Sequence, residues 1–229
     1  MIKTIQVEVI AIAIITILLL SLFAFLGSVV KKASITDKPK GILVYTLVLY
    51  DFIKGFTEGN MGKDAAKAYA PYIGSLALYL VVSNLSGLFG LTSPTTNYSV
   101  TLTLALITFI FVQYTKLKVN GIKGYLHGFI EPFPPFIIMN VFGLISPLIS
   151  MSLRLFGNMT AGTVLMWLFY AFTAFLSSYV PVIGQLNFLG IAIAPLFHAY
   201  FDVFSGLIQT YIFISLTTIF IGVELPQEG

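Results

Sequence analysis

This 229-residue chain contains no cysteine, a single arginine, a single tryptophan and two histidines, and only 9% of its residues are charged. The missing cysteine excludes disulfides, thiolate catalysis and Cys-based metal sites, and it leaves the redox compartment open. His127 and His198 lie far apart without clustered carboxylates, so no metal-ligand set is expected and no cofactor is implied. There is no P-loop, dinucleotide fingerprint or Ser-His-Asp pattern, and no Arg-rich or aromatic-interleaved patch, which argues against nucleic acid as a partner. A globular domain carries about 25% charged residues. Here 58% of residues are hydrophobic and mean hydropathy is +0.97, more apolar surface than a soluble domain of this length can bury.

What remains is a set of long apolar runs separated by lysines, which reads as an all-α integral membrane protein with five to six membrane helices. The run 9–30 is long enough to span a hydrocarbon core of about 30 Å and is followed by Lys31, Lys32, Lys38 and Lys40. A signal peptide would have a shorter apolar region with its charges ahead of it, so an uncleaved span is expected. Segment 31–70 carries seven lysines and a short helix near Val44–Phe56, and by the positive-inside rule it is cytoplasmic. Spans follow at 72–91 and 100–114, joined by the lysine-free, turn-rich Thr92–Tyr98. Lys116, Lys118 and Lys123 then return the chain to the cytoplasmic side. The N-terminus is therefore expected outside and the C-terminus in the cytoplasm.

Residues 132–178 would make a single helix of about 70 Å, more than twice a bilayer. Pro132, Pro134, Pro135, Pro147 and Gly143 offer breaks, so the stretch is expected either as a helical hairpin that folds back or as a helix lying across the membrane. Residues 186–223 are similarly overlong, with Pro195 and Gly206 as possible bends. Two long, strongly inclined helices joined by an outer loop at 179–185 are predicted, all within one membrane domain spanning 1–229.

The single arginine, Arg154, sits in one of the most apolar of these stretches, whereas all eleven lysines lie in polar segments. A guanidinium stays charged at any accessible pH, and at mid-bilayer it costs at least about 2.5–3.5 kcal/mol on insertion scales. Ser150 and Asn158 fall one turn to either side, on the same helical face. Gly157 and Ala161 on the neighbouring strip let a helix of another subunit come close. A second polar stripe, His198, Asp202, Ser205 and Gln209, recurs at spacings of four, three and four. Asp202 is the only carboxylate between Glu131 and Glu224. With ordered water such a stripe relays protons, since Asp and His each accept and release one. Two bland readings stand beside these: Arg154 snorkels to a headgroup, or Arg154 and Asp202 form a static ion pair. Asn84 either lines the same aqueous cavity or serves as interhelical glue. Thr101, Thr103 and Thr108 are expected to bond back to helix carbonyls, and Phe, Tyr and Trp side chains to face lipid or pack.

The run Ser150-Met-Ser-Leu-Arg154-Leu-Phe-Gly-Asn158-Met-Thr-Ala-Gly162 resembles the signature of subunit a of F-type ATP synthases. Phe201-Asp202 through Gln209-Thr-Tyr-Ile-Phe213 is similar to that family's last helix, where an acidic residue or histidine precedes a glutamine by seven positions. Ala70–Gly74, Asn84–Gly87 and Glu131–Pro134 extend the likeness over roughly 65–223. The resemblance implies a non-catalytic membrane stator beside a rotating ring of c subunits, with peripheral-stalk b subunits and the rest of the ATP synthase as further partners. It implies that Arg154 faces the ring carboxylate, favours release of its proton and blocks leakage between two half-channels. Asp202, Gln209, Asn158 and His198, with Asn84, would line the outer half-channel, and Ser150 would stand near the Arg154 side. Thr163 stands where many members carry a glutamate, so Asp202 must supply the acid, with His198 supplementing it. A bacterial plasma membrane is the expected location, an organellar inner membrane the alternative. The rivals from other classes are a transporter or channel binding an anion at Arg154, and a purely structural subunit.

Overall fold

The computed structural model describes residues 7–33, 40–180 and 186–226. Lys38 and most of the expected outer loop 179–185 lie outside the described residues. Among those described, every regular element is helical, and five helical stretches are long and apolar enough to cross a membrane. The chain is an all-α integral membrane protein.

Helix α1 (Val7–Lys32) is apolar on all sides and closes on Lys31 and Lys32, whose charges suit the negative end of the helix dipole. Only every fourth residue, Ala11, Ile15 and Leu19, is buried, a single seam against α2 (Ile42–Met61) and α3 (Lys63–Leu85); the remaining surface suits lipid. Helix α2 is longer than the helix expected at 44–56. It passes into α3 through one residue, Gly62, whose φ of 75° is open to glycine and strained for other residues. Its N–H closes α2 on Glu58 O.

Beyond α3 the chain makes short 3-10 turns at Ser86–Phe89 and Pro94–Thr96 before Asn97 caps α4 (Tyr98–His127) by accepting from Ser99 N. The third span was expected to end at 114. Instead the helix runs on, so Lys116 and Lys118 project from α4 itself, and Gly121 (φ 66°, ψ 173°) then breaks its axis.

Helix α5 (Ile137–Ser177) is continuous over 41 residues, with Pro147 inside it. Of the two arrangements left open for this stretch, the structure adopts the unbroken helix. The fold-back lies further on, where α5 packs against α6 (Phe188–His198). At about 61 Å, α5 is twice the thickness of a hydrocarbon core. A π-helical turn, Ala199–Phe204, joins α6 to α7 (Ser205–Val223).

The core gathers Leu76 and Leu80 from α3, Ala105 from α4, Met151, Leu155 and Met159 from α5, and Phe213 from α7. Lipid tails are as apolar as these side chains, so helix association leans on close packing and interhelical hydrogen bonds. Both are present. A Cβ on Gly222 would clash with Asn60 O, and one on Gly206 would lie 3.1 Å from Asn84 Cβ. Thr101 and Thr103 bond back to Tyr98 O and Ser99 O as expected, but Thr108 bonds across helices, to Tyr72 OH at 2.8 Å and Thr217 Oγ1 at 3.4 Å. A buried hydroxyl finds a partner on a neighbouring helix when a residue of matching reach stands opposite, and Tyr72 does.

Candidate functional site

Arg154 lies on the face of α5 turned away from the bundle. Met151, Ser152, Leu155 and Met159 point inward and are buried, while Ser150, Leu153, Arg154, Gly157, Asn158 and Ala161 are exposed. No atom lies within 4 Å of a Cβ built on Gly157. Among the described residues no carboxylate oxygen comes within 4.0 Å of the guanidinium, and it makes no hydrogen bond. This is the predicted face, with its small residues beside the charge.

One turn past Arg154, Asn158 Nδ2 donates to Gln209 Oε1 at 2.6 Å, joining α5 to α7. Gln209 is 1% exposed and its Nε2 has no partner among the described residues. Further along the same pair of helices, Asp202 sits in the π turn with Oδ2 2.5 Å from His198 Nδ1. The carboxylate lies over Gly87, where a side chain would meet it at 3.5 Å. On the far side of the imidazole, Tyr170 OH is 2.9 Å from His198 Nε2. The static Arg154–Asp202 ion pair is therefore not the arrangement found. Asp202 is engaged by His198 instead.

The sequence model of the ATP synthase A chain family matches residues 9–222. The chain is 35% identical to the ATP synthase subunit a of Mycoplasma genitalium over 92% of its own length and 76% of that protein's. It is 30% identical to the ATP synthase subunit a of Staphylococcus aureus over 94% of its own length and 90% of that protein's.

The chain belongs to the ATP synthase A chain family. It is a multi-pass membrane protein of the Fo sector of an F-type ATP synthase, and its family is one of ATP synthesis and proton transport. For a member of this family the positions of the remaining candidate residues matter. Asn84 is 3% exposed and its side chain is engaged on both sides: Nδ2 donates to Gly206 O and Thr210 Oγ1, each at 3.1 Å, and Oδ1 accepts from Thr95 at 2.8 Å. It binds α3 to α7 between Asp202 and Gln209, as interhelical glue. Ser150 is exposed one turn before Arg154, and Thr163 is exposed with its hydroxyl returned to Met159 O. Ser205 is half-buried at the start of α7.

A cavity of about 490 Å³ opens between α4, the first half of α5 and the end of α7. Thr108, Gln113, Lys116, Tyr125, Asn140 and Glu224 are its polar lining, and it reaches Pro147, Leu148 and Met151, on the buried side of α5 one turn before Arg154. Lys116 Nζ and Glu224 Oε1 are 3.4 Å apart on its wall, and Tyr125 folds back past the Gly121 break to donate to Gln113 Oε1 at 3.0 Å. Sequence reading missed this cavity because its polar residues come from four segments, none remarkable alone. It also missed Tyr170, grouped with the aromatics expected to face lipid or pack. The available signal was a hydroxyl-bearing aromatic in a run otherwise of Phe, Leu and Ala.

Proposed function

We propose that the chain is the proton-conducting stator of its ATP synthase: two half-channels meet from opposite faces near Arg154, and protons pass from one to the other only on a rotating ring of c subunits. The observation that carries this reading is the outward, uncompensated position of Arg154. A guanidinium in an apolar stretch needs an opposing charge, and among the described residues this chain supplies none at ion-pairing distance. A ring carboxylate approaching across the small residues Gly157 and Ala161 meets that need. The fixed positive charge then favours proton release from each carboxyl as it arrives and bars direct passage of protons between the half-channels. Each elementary charge moved across 100 mV supplies about 2.3 kcal/mol, so several per turn drive ATP synthesis elsewhere in the complex.

His198, Asp202, Gln209 and Asn158 form the outer route, running along the seam of α5 with α6 and α7, with Asn84 setting the spacing behind it. The cavity beside Lys116 and Glu224 forms the inner route, ending at Pro147, Leu148 and Met151, with Ser150 between it and the Arg154 side. The N-terminus lies outside and the C-terminus in the cytoplasm, in a bacterial plasma membrane, with b subunits of the peripheral stalk holding the chain against the ring. Helices α5 and α6–α7 lie strongly inclined, since about 61 Å and about 54 Å of helix fit about 30 Å of hydrocarbon in no other way without leaving it. The chain carries out no bond chemistry itself.

The test is ATP-driven proton pumping by the assembled complex in membrane vesicles, with hydrolysis recorded alongside, comparing wild type with Arg154→Ala. Loss of pumping with assembly retained is the expected result. Pumping at the wild-type rate would return Arg154 to a structural role.

A further inference from the structure

Tyr170 has no part in the roles above, yet two contacts of its own and one of its neighbour fix it. Its hydroxyl meets His198 Nε2 at 2.9 Å, its carbonyl accepts from Asn187 Nδ2 at 3.4 Å, and the preceding residue, Phe169, stacks on Phe197 with ring centres 4.4 Å apart and planes at 22°. Asn187 is itself locked in a left-handed conformation (φ 45°), capping α6 by accepting from Gly190 N. A tyrosine serving only as an interfacial anchor would send its hydroxyl to headgroups. This one is spent on an imidazole whose other nitrogen holds the Asp202 carboxylate.

The two polar bridges between α5 and the last helices are in register. From Asn158 to Tyr170 is 12 residues, and from Gln209 back to His198 is 11, as two antiparallel helices require. The seam therefore presents Tyr170, His198 and Asp202 in sequence, followed by Gln209 with Asn158. From α5 the ionisable group facing His198 is Tyr170; from its own π turn it is Asp202. The turn after α3 brings Gly87, which carries no titratable group, against Asp202, and the neighbouring Phe197 and Phe201 rings stack on each other with centres 6.2 Å apart.

We propose that Tyr170 is the positioning residue for His198. Its O–H donates to Nε2, which leaves the ring proton on Nδ1 and aims it at Asp202, so that the acid of the outer route is held by a two-bond relay beginning at Tyr170. With Thr163 supplying no carboxyl, this relay is what orients Asp202. The inference rests on the half-channel reading of the preceding section.

The experiment uses complete ATP synthase in inverted membrane vesicles, where the lumen corresponds to the outer face. ATP synthesis is driven by an imposed gradient and followed as a function of luminal pH. Tyr170→Phe keeps the ring and its packing and removes the hydroxyl. It should lower the rate about threefold to tenfold, the value of one neutral hydrogen bond, and displace the luminal pH of half-maximal rate. In complexes already carrying His198→Ala, Tyr170→Phe should change neither. A wild-type rate and pH curve for Tyr170→Phe, or the same slowing with and without His198, overturns the assignment. If Tyr170→Phe fails to assemble, 3,5-difluorotyrosine at position 170 keeps shape and hydroxyl while making the phenol a stronger acid; an unmoved pH curve then overturns it. Arg154→Ala in parallel separates the two levels: retained synthesis there sinks the half-channel reading, whereas its loss beside an unaffected Tyr170→Phe sinks only the role of Tyr170.

Discussion

Asn158 and Gln209, 51 positions apart, share a 2.6 Å hydrogen bond between α5 and α7, one turn from a guanidinium that no carboxylate in the described chain answers. One partner is exposed and the other is 1% exposed. The bond thus carries a polar link from the core to the face that Arg154 occupies.

Removing one end of that link should be worse than removing both. Asn158→Leu leaves a buried Gln209 oxygen unsatisfied, a penalty of about 1–3 kcal/mol, while Asn158→Leu with Gln209→Leu removes the orphan with its partner. Thermal unfolding of the detergent-extracted complex, run as a double-mutant cycle, should show non-additivity of about 0.5–3 kcal/mol. Both variants should lose coupled pumping.

Gly222→Ala should impair assembly. The added carbon would clash with a backbone oxygen, Asn60 O, which has no rotamer with which to yield. Overpacking of this kind costs about 1–3 kcal/mol, and the amount of complex recovered from membranes should fall accordingly.

Gly157→Ala offers the contrasting case. Nothing in the chain lies within 4 Å of the new carbon, so subunit levels should hold. Coupled pumping in the assembled complex should nonetheless drop, because the ring helix is expected to pass there. Normal pumping would place the ring contact elsewhere on α5.

Asp202→Asn keeps the shape of the side chain and removes its capacity to take up and release a proton. Synthesis driven by an imposed gradient should fall at least tenfold, toward the lower end of what a positioned acid or base contributes, about 100-fold, with assembly unchanged. Asn84→Asp changes a residue whose amide is fully engaged. Its effect should fall on complex stability, read from the unfolding temperature, through loss of the two donated bonds to α7.

The apolar runs made the helices legible, because twenty uncharged residues in water have no other stable home. Arg154 and the His198–Asp202–Gln209 stripe were legible for the same reason: a polar group in such a run is costly enough to need a purpose. Boundaries were less so. Helix α4 passes its apolar window into Lys116 and Lys118, since long basic side chains continue a helix without penalty once it leaves the membrane. Pro147 suggested a break in α5 that did not come. Partner choice was the least legible, as Thr108 shows, because whether a hydroxyl bonds back or across depends on what a distant segment places opposite it.

Gly62 carries a mechanical consequence. With a single residue between them, α2 and α3 have little slack, and their packing against each other sets the turn from one into the other. The end of α7 bears on α2 at Asn60, two residues before that turn. Helix α2 is therefore braced at its C-terminal end against both α3 and α7, so a displacement of that end is felt by both. On the stator reading proposed above, that bracing is what keeps the seam from riding round with the rotor.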